Sequence, residues 1–405
     1  MASVRKRRWR TPKGEVRTAW VVDFSDTSGK RDRRQFNSKH AADVFRVKIE
    51  GELSIGAYRT DARKATVGEA CDLFIENCRR RMQRRERMTR GTFVVYQGYV
   101  HNYIRPDAKR HVDQERAARL KPFDKGLGDT ILRELTHGKV EQFCEDLKEA
   151  GVSIQLVRKI LGILKLVLRY AVNRDLVVMN VARDVRVIGR RDQGPKKVIP
   201  PTKEALRQLI AAADSNFRVT LIVAAATGMR AGEQHALRWR HVNLERGEVK
   251  VETRVDVYGD EDVTKTAAGM RDVPLGANVV AVLKEWRLRT KYKEPNDLVF
   301  PNLRGRYVSH SAMVKRKFLP LFDKLKEQHA ADPDKYPEPP IPFNWHALRH
   351  FAISCWIEAG LSPKTVQTFA GHSSLQMTMD RYGHLFKSDD HRLAMDAIAK
   401  QMLGV

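Results

Sequence analysis

The stretch from Ile341 to Phe386 gathers the side chains best suited to chemistry: His346, Arg349, His372 and Tyr382. A guanidinium grips phosphate oxygens through paired hydrogen bonds, an imidazole moves protons near neutrality, and a phenol is a nucleophile once its proton has an acceptor. Turning by about 100° per residue, a helix starting at His346 puts His346, Arg349 and Ile353 on one side. Leu348, Phe351, Ala352, Cys355, Trp356 and Ala359 fall on the other, so His346 and Arg349 are expected to face away from the core. Ser362 and Pro363 open the next helix, which ends before Gly371 and leaves His372 on its exit turn. Ser373 with Gln376 reads as a capping box for the helix that carries Tyr382. Each of these residues alone is ordinary, since His is common at helix ends and Arg on helix surfaces.

Two upstream segments supply compatible groups. Arg230 and Glu233 begin a helix just after Thr227 and Gly228, and Lys265 lies in the polar run DEDVTKTAAG between the strand-like pieces Glu248–Val257 and Met270–Pro274. Two guanidiniums, Arg230 and Arg349, can hold the nonbridging oxygens of a pentacoordinate phosphorane. Tyr382 is the candidate nucleophile; a phenol with a pKa of about 10 needs a proton acceptor or a strongly positive site. Lys265 is the natural proton donor to a leaving sugar oxygen. With the arginines supplying positive charge, no metal and no cofactor are expected, and no HExxH, CxxC or GxxxxGK[ST] pattern competes.

The elements that must position these groups belong to a chain of 405 residues, long enough for two or three domains. Lys and Arg number 75 against 49 Asp and Glu, a formal charge of +26 that calls for a polyanionic partner. Hydrophobic residues at 42% support folded cores and disfavour a disordered basic protein. Cys71, Cys78, Cys144 and Cys355 lack metal-ligand spacing, so reduced thiols and a cytoplasmic, DNA-associated setting are expected. The basic start does not read as a signal peptide, and the apolar patches are too short for a membrane span.

Residues 1–60 read as a small α+β domain. It has a basic run at Lys6–Arg10, a strand at Ala19–Phe24, a polar turn at Gly29–Arg34, a second short strand near Phe36, and a helix from Ser38. Residues 64–188 read as helices only, with Thr66 and Ser153 as caps and a basic segment from Arg79 to Arg90. Residues 189–200, GRRDQGPKKVIP after Ile188, read as a linker. Residues 201–388 form a mainly helical unit with a small antiparallel sheet, in which Phe217–Ala226 is apolar enough to be buried. The tail 389–405 patterns as a short amphipathic helix able to dock on its own domain or on a neighbouring subunit.

The ordered set AAATGMRAGE (Ala224–Glu233), TKTAAGMRDVPL (Thr264–Leu275), HALRH (His346–His350), GHSS (Gly371–Ser374) and Tyr382 closely resembles the tyrosine recombinases, or phage integrases. The resemblance implies that Arg230 and Arg349 clamp phosphate, that Lys265 is the general acid, and that Tyr382 forms a 3′-phosphotyrosyl link. It also implies that His346 and His372 manage protons and hold the phosphate, while Glu233 orients the first arginine. By the same resemblance residues 64–188 form a core-binding domain closing a C-shaped clamp with the catalytic domain, and residues 1–60 an arm-binding domain. The implied partners are double-stranded attachment-site DNA, a homotetramer assembled on it, and DNA-bending or directionality accessory proteins. A type IB topoisomerase and a noncatalytic DNA-binding protein remain as alternatives.

Overall fold

Strand β1 (Ser3–Arg10) pairs antiparallel with β2 (Val16–Ser25), which pairs antiparallel with β3 (Arg31–Phe36). The basic run Lys6–Arg10 is therefore part of a strand, not a free arm. Its arginines and lysine stay in water because β1 lies at a sheet edge, where charged side chains oppose further strand addition. In the central strand Val22 and Phe24 are buried and meet Ala42, Phe45 and Ile49 of helix α1 (Lys39–Ser54). Asp23 ties the strands together through Arg5 and Arg33, each at 2.7 Å. This computed structural model describes residues 2–12, 15–25, 31–54, 64–106, 123–189, 198–264, 267–386, 395 and 398–402.

A second core lies among helices α2 (Val67–Gln83), α3 (Arg90–Tyr99), α4 (His137–Glu149) and α5 (Ile154–Asn173). Thr66 caps α2 in a reciprocal capping box with Glu69, and Ser153 caps α5 through the amide of Leu156. Val157, Ile160, Leu161, Leu164 and Leu168 recur every three or four residues along α5 and are buried, which makes it the spine of this core. Between α2 and α3 the basic segment turns through Arg85 and Arg87, both at positive φ. Cys71, Cys78 and Cys144 are buried free thiols.

The chain divides into two compact units, residues 1–193 and 194–405. The second unit is built from α6 (Lys203–Ala212), α7 (Ser215–Thr227), α8 (Ala231–His235), a small sheet, α9 (Ala277–Arg289), α10 (His310–Met313), α11 (Leu319–Ala331), α12 (Ala347–Glu358), α13 (Pro363–Ala370) and α14 (Leu375–Tyr382). The strand expected over Glu248–Val257 is split between two sheets. Strand β5 (Glu248–Val251) lies between β4 (Val242–Asn243) and β8 (Arg271–Pro274), whereas β6 (Thr253–Val255) forms a hairpin with β7 (Glu261–Val263). This gives the fold class its three parts: a small α+β domain, an all-helical core and a mainly helical domain with antiparallel strands.

Helix α12 departs from its predicted faces. Leu348 is buried with Phe217 and Trp345, while Ile353 and Ile357 are buried with Val366, Ala370 and Tyr382. The helix is covered on several sides, so Arg349, 4% exposed, points into the protein and not away from it. The cap of α14 also differs: Ser374, in extended conformation, accepts the amide of Met377, and Ser373 does not serve. Most of the linker 189–200, all of 387–394 in and before the tail, and Lys265 lie outside the described residues; 398–402 of the tail is helical. Among the described residues no helix is long and apolar enough to cross a membrane.

Candidate active site

The site is assembled at the C-terminal end of α13. Helix ends leave carbonyls without intrahelical partners and carry partial negative charge, so cations settle there. Arg271 donates from Nε to the Phe369 carbonyl at 2.7 Å, Arg349 donates to the Ala370 carbonyl, and Arg230 donates to the Gly371 carbonyl at 3.0 Å. Three successive carbonyls thus orient guanidiniums drawn from β8, α12 and the start of α8. Gly371 makes this possible by closing the helix in left-handed conformation, φ 61°, with a carbonyl that a more extended exit would turn elsewhere.

Glu233 holds two of these three cations. Its carboxylate accepts from Arg230 at 2.7 Å and from Arg271 at 2.8 Å, and it also caps the Arg230 backbone amide at 2.9 Å. Desolvation works against its charged form, but Arg271 and then Arg230 outweigh it and hold the carboxyl below the usual carboxylate range. Arg230 keeps 42% of its side chain exposed, which leaves it able to meet a ligand. Arg349 is anchored a second time by the Gly228 carbonyl at 2.7 Å, from the left-handed turn that ends α7. Its burial beside Arg230 and Arg271 lowers its guanidinium to about 9, still cationic at neutral pH.

Tyr382 ends α14 with 1% exposure, and its hydroxyl lies 2.5 Å from Nδ1 of His350. Burial raises the phenol above its ordinary pKa, against the opposing pull of Arg349 and Arg381. His372 stacks on the Tyr382 ring, with centroids 6.2 Å apart and planes at 15°, and its Nδ1 meets Thr378 Oγ1 at 2.9 Å. Desolvation, reinforced by Arg349, Arg230, Arg381 and Arg271, pulls His372 down to about 3, so it is neutral. His346 keeps an exposed edge at the start of α12; desolvation of the rest of the ring, with His350 and Arg349 next to it, takes it down to about 4. Its ring sits edge-to-face on His350 at 4.8 Å.

Of the residues singled out from the sequence, Arg230, Glu233, His346, Arg349, His372 and Tyr382 come together, and Lys265 lies outside the described residues. On its flanks Thr264 donates to the Glu252 carbonyl at 3.1 Å, and Arg271 holds the Gly269 carbonyl at 2.9 Å. Sequence reasoning assigned no role to His350 or to Arg271. The adjacent His in HALRH and the Arg six residues after Lys265 were visible signals, but their value depends on partners 32 and 38 residues away.

Residues 202–389 match the model of the Phage integrase family. A tyrosine recombinase XerC-like protein of Caldanaerobacter subterraneus subsp. tengcongensis is 22% identical over 389 residues, covering 89% of this chain and 90% of that protein. In solved structures the chain resembles the Tn1549 transposon integrase in complex with a circular intermediate DNA, with TM-score 0.60, 19% identity, and coverage of 82% of this chain and 99% of that one. It also resembles a lambda integrase tetramer bound to a Holliday junction, with TM-score 0.51, 17% identity, and coverage of 91% and 95%.

Proposed function

Because residues 202–389 place this chain in the phage integrase family, the tyrosine recombinases, we propose that it integrates or excises a mobile element, cleaving and rejoining DNA through a 3′-phosphotyrosyl intermediate. The observation that carries this reading is that Arg230 and Arg349 are hooked on successive carbonyls at the exit of α13, and that His372, the next residue of that exit, stacks on the buried ring of Tyr382. Tyr382 attacks the scissile phosphorus. Arg230 and Arg349 hold its nonbridging oxygens, acting most strongly on the charge that develops in the transition state. Glu233 orients Arg230, His372 and His346 hold the phosphate and manage protons, and Lys265 protonates the departing 5′-oxygen. No metal ion or cofactor takes part.

Residues 1–60 and 64–188 are assigned to arm-type and core-type DNA contacts, joined by the linker 189–200 to the catalytic domain 201–388. Strand exchange joins two duplexes and needs four nucleophiles, which calls for a tetramer on DNA; the lambda integrase tetramer on a Holliday junction supports that stoichiometry. The tail 389–405 is the segment assigned to docking between subunits.

The test uses a library of duplexes with a randomised central segment and a nick that lets the strand downstream of a cleavage diffuse away. Wild-type protein should enrich a restricted set of sequences as phenol-linked adducts, and Tyr382→Phe, which has no oxygen to bond phosphorus, should abolish them. Adducts spread over all sequences point to a topoisomerase, and unchanged adducts from Tyr382→Phe overturn the reading.

A further inference from the structure

We propose that His350, and not His346, is the general base that takes the proton from Tyr382. This rests on the strand-transfer reading above and assigns a role within it. The Tyr382 hydroxyl has its described hydrogen bond with Nδ1 of His350, at 2.5 Å across 32 residues of chain. The ring centroids lie 5.7 Å apart with planes tilted by 53°, so the two rings do not stack and the contact is through the polar atoms. His372 lies nearly parallel to the phenol ring, centroids 6.2 Å apart, and its Nδ1 is engaged by Thr378. His346 touches the ring of His350, and no hydrogen bond of its own joins it to the phenol among the described residues.

The charges around His350 suit a base. His346 and Arg349 face it from its own helix, and Tyr382 and Arg381 from α14. Desolvation, then Arg381 and Arg349, lower its pKa, so at neutral pH the ring is uncharged with a lone pair available. In the Nε2–H tautomer, which the proposal assigns to it, the neutral ring accepts the phenol hydrogen at Nδ1. The position of His350 in α12 is fixed one residue beyond Arg349, so the base and the phosphate clamp move as one body.

The step balances. As the bond from Tyr382 Oη to phosphorus forms, the phenolic proton passes to His350 Nδ1; as the bond from phosphorus to the 5′-oxygen breaks, that oxygen takes a proton from Lys265. Rejoining runs in reverse, with imidazolium His350 returning its proton to the departing phenolate.

The experiment uses the full chain and a nicked duplex enriched by the wild type from the randomised library. His350→Asn keeps a polar atom near the Nδ1 position but cannot act as a base at neutral pH. It should slow adduct formation by ~10²–10⁴-fold and abolish the fall in rate expected of the wild type as acidification protonates His350, at a pH below the ordinary imidazole value. His346→Asn should retain that acid limb. If His350→Asn reacts at the wild-type rate, or if His346→Asn alone removes the limb, the proposal is overturned. A second measurement needs no DNA. In protein labelled with ¹⁵N-histidine, His350 should show a non-protonated Nδ1 whose resonance moves in Tyr382→Phe, and an Nδ1–H tautomer overturns the assignment. A wild type that forms no adduct on any duplex overturns the strand-transfer reading instead, and the tautomer then decides whether the hydrogen bond has the proposed direction.

Discussion

At the scale of single residues, the site depends on side chains that hold other side chains. Arg271 is 1% exposed and spends its guanidinium on the Glu233 carboxylate and on the carbonyls of Gly269 and Phe369. It touches none of the residues assigned to the scissile phosphate except through Glu233 and the α13 exit, so it is a positioning residue. Lysine keeps the charge but cannot reach three acceptors at once, because only the planar fork of Arg spans them. Arg271→Lys should slow adduct formation by ~10–100-fold, equivalent to ~1.4–2.8 kcal/mol of transition-state stabilisation, by letting Arg230 drift from the phosphate. The defect should shrink on a duplex whose scissile phosphate is a neutral methylphosphonate, since that linkage asks less of the cationic clamp. Equal slowing on both linkages would falsify the positioning role and leave general destabilisation.

At the scale of elements, the exit of α13 is where geometry is least forgiving. Gly371 and Gly360 both have positive φ, 61° and 81°, which costs any other residue ~1–2 kcal/mol. They differ in surroundings. A Cβ at Gly360 meets nothing within 4 Å, whereas one at Gly371 lies 3.0 Å from both the Ala268 carbonyl oxygen and an Arg271 nitrogen. Gly360→Ala should therefore lower stability by about the strain alone, ~1 kcal/mol in a urea titration, and leave adduct formation within about twofold. Gly371→Ala should lose more stability and more activity, because the added methyl displaces the carbonyl hook of Arg230 and the strut Arg271. The local signals at Thr66, Ser153 and Ser362–Pro363 were legible in the sequence, because a cap is chemistry between residues three apart. So was the ordered set of Arg, Glu, His and Tyr. The burial of Arg349 was not legible: a helix covered on several sides has no true polar stripe, and the apparent one pointed at carbonyls contributed by α7 and α13. The choice of Ser374 over Ser373 as cap was also hidden, since adjacent serines differ only in the backbone angles the chain imposes on them. The edge strand β1 escaped notice because its partner β2, and not its own alternation, holds it in place.

At the scale of the whole molecule, the charge of +26 acts on stability and on binding with opposite signs. In the free protein like charges repel, so added salt screens the repulsion and favours the compact state. On DNA each neutralised phosphate releases counterions, so the same salt weakens the complex. If the basic groups lie along a duplex, engaging ~6–10 phosphates, affinity for an enriched attachment-site duplex should fall ~10³–10⁵-fold between about 50 and 200 mM salt. Over that range the urea midpoint should hold steady or rise. Fluorescence anisotropy at several salt concentrations reads the first effect, and denaturation in the same buffers reads the second. A logarithmic slope shallower than about −2 corresponds to neutralising only ~2 phosphates. The excess charge would then be a solubilising surface, and DNA grip would have to come from a few contacts near the catalytic site. A steep slope together with a falling urea midpoint would mean that salt acts by loosening the protein, so only the steep slope with an undiminished midpoint identifies the charge as the grip on DNA.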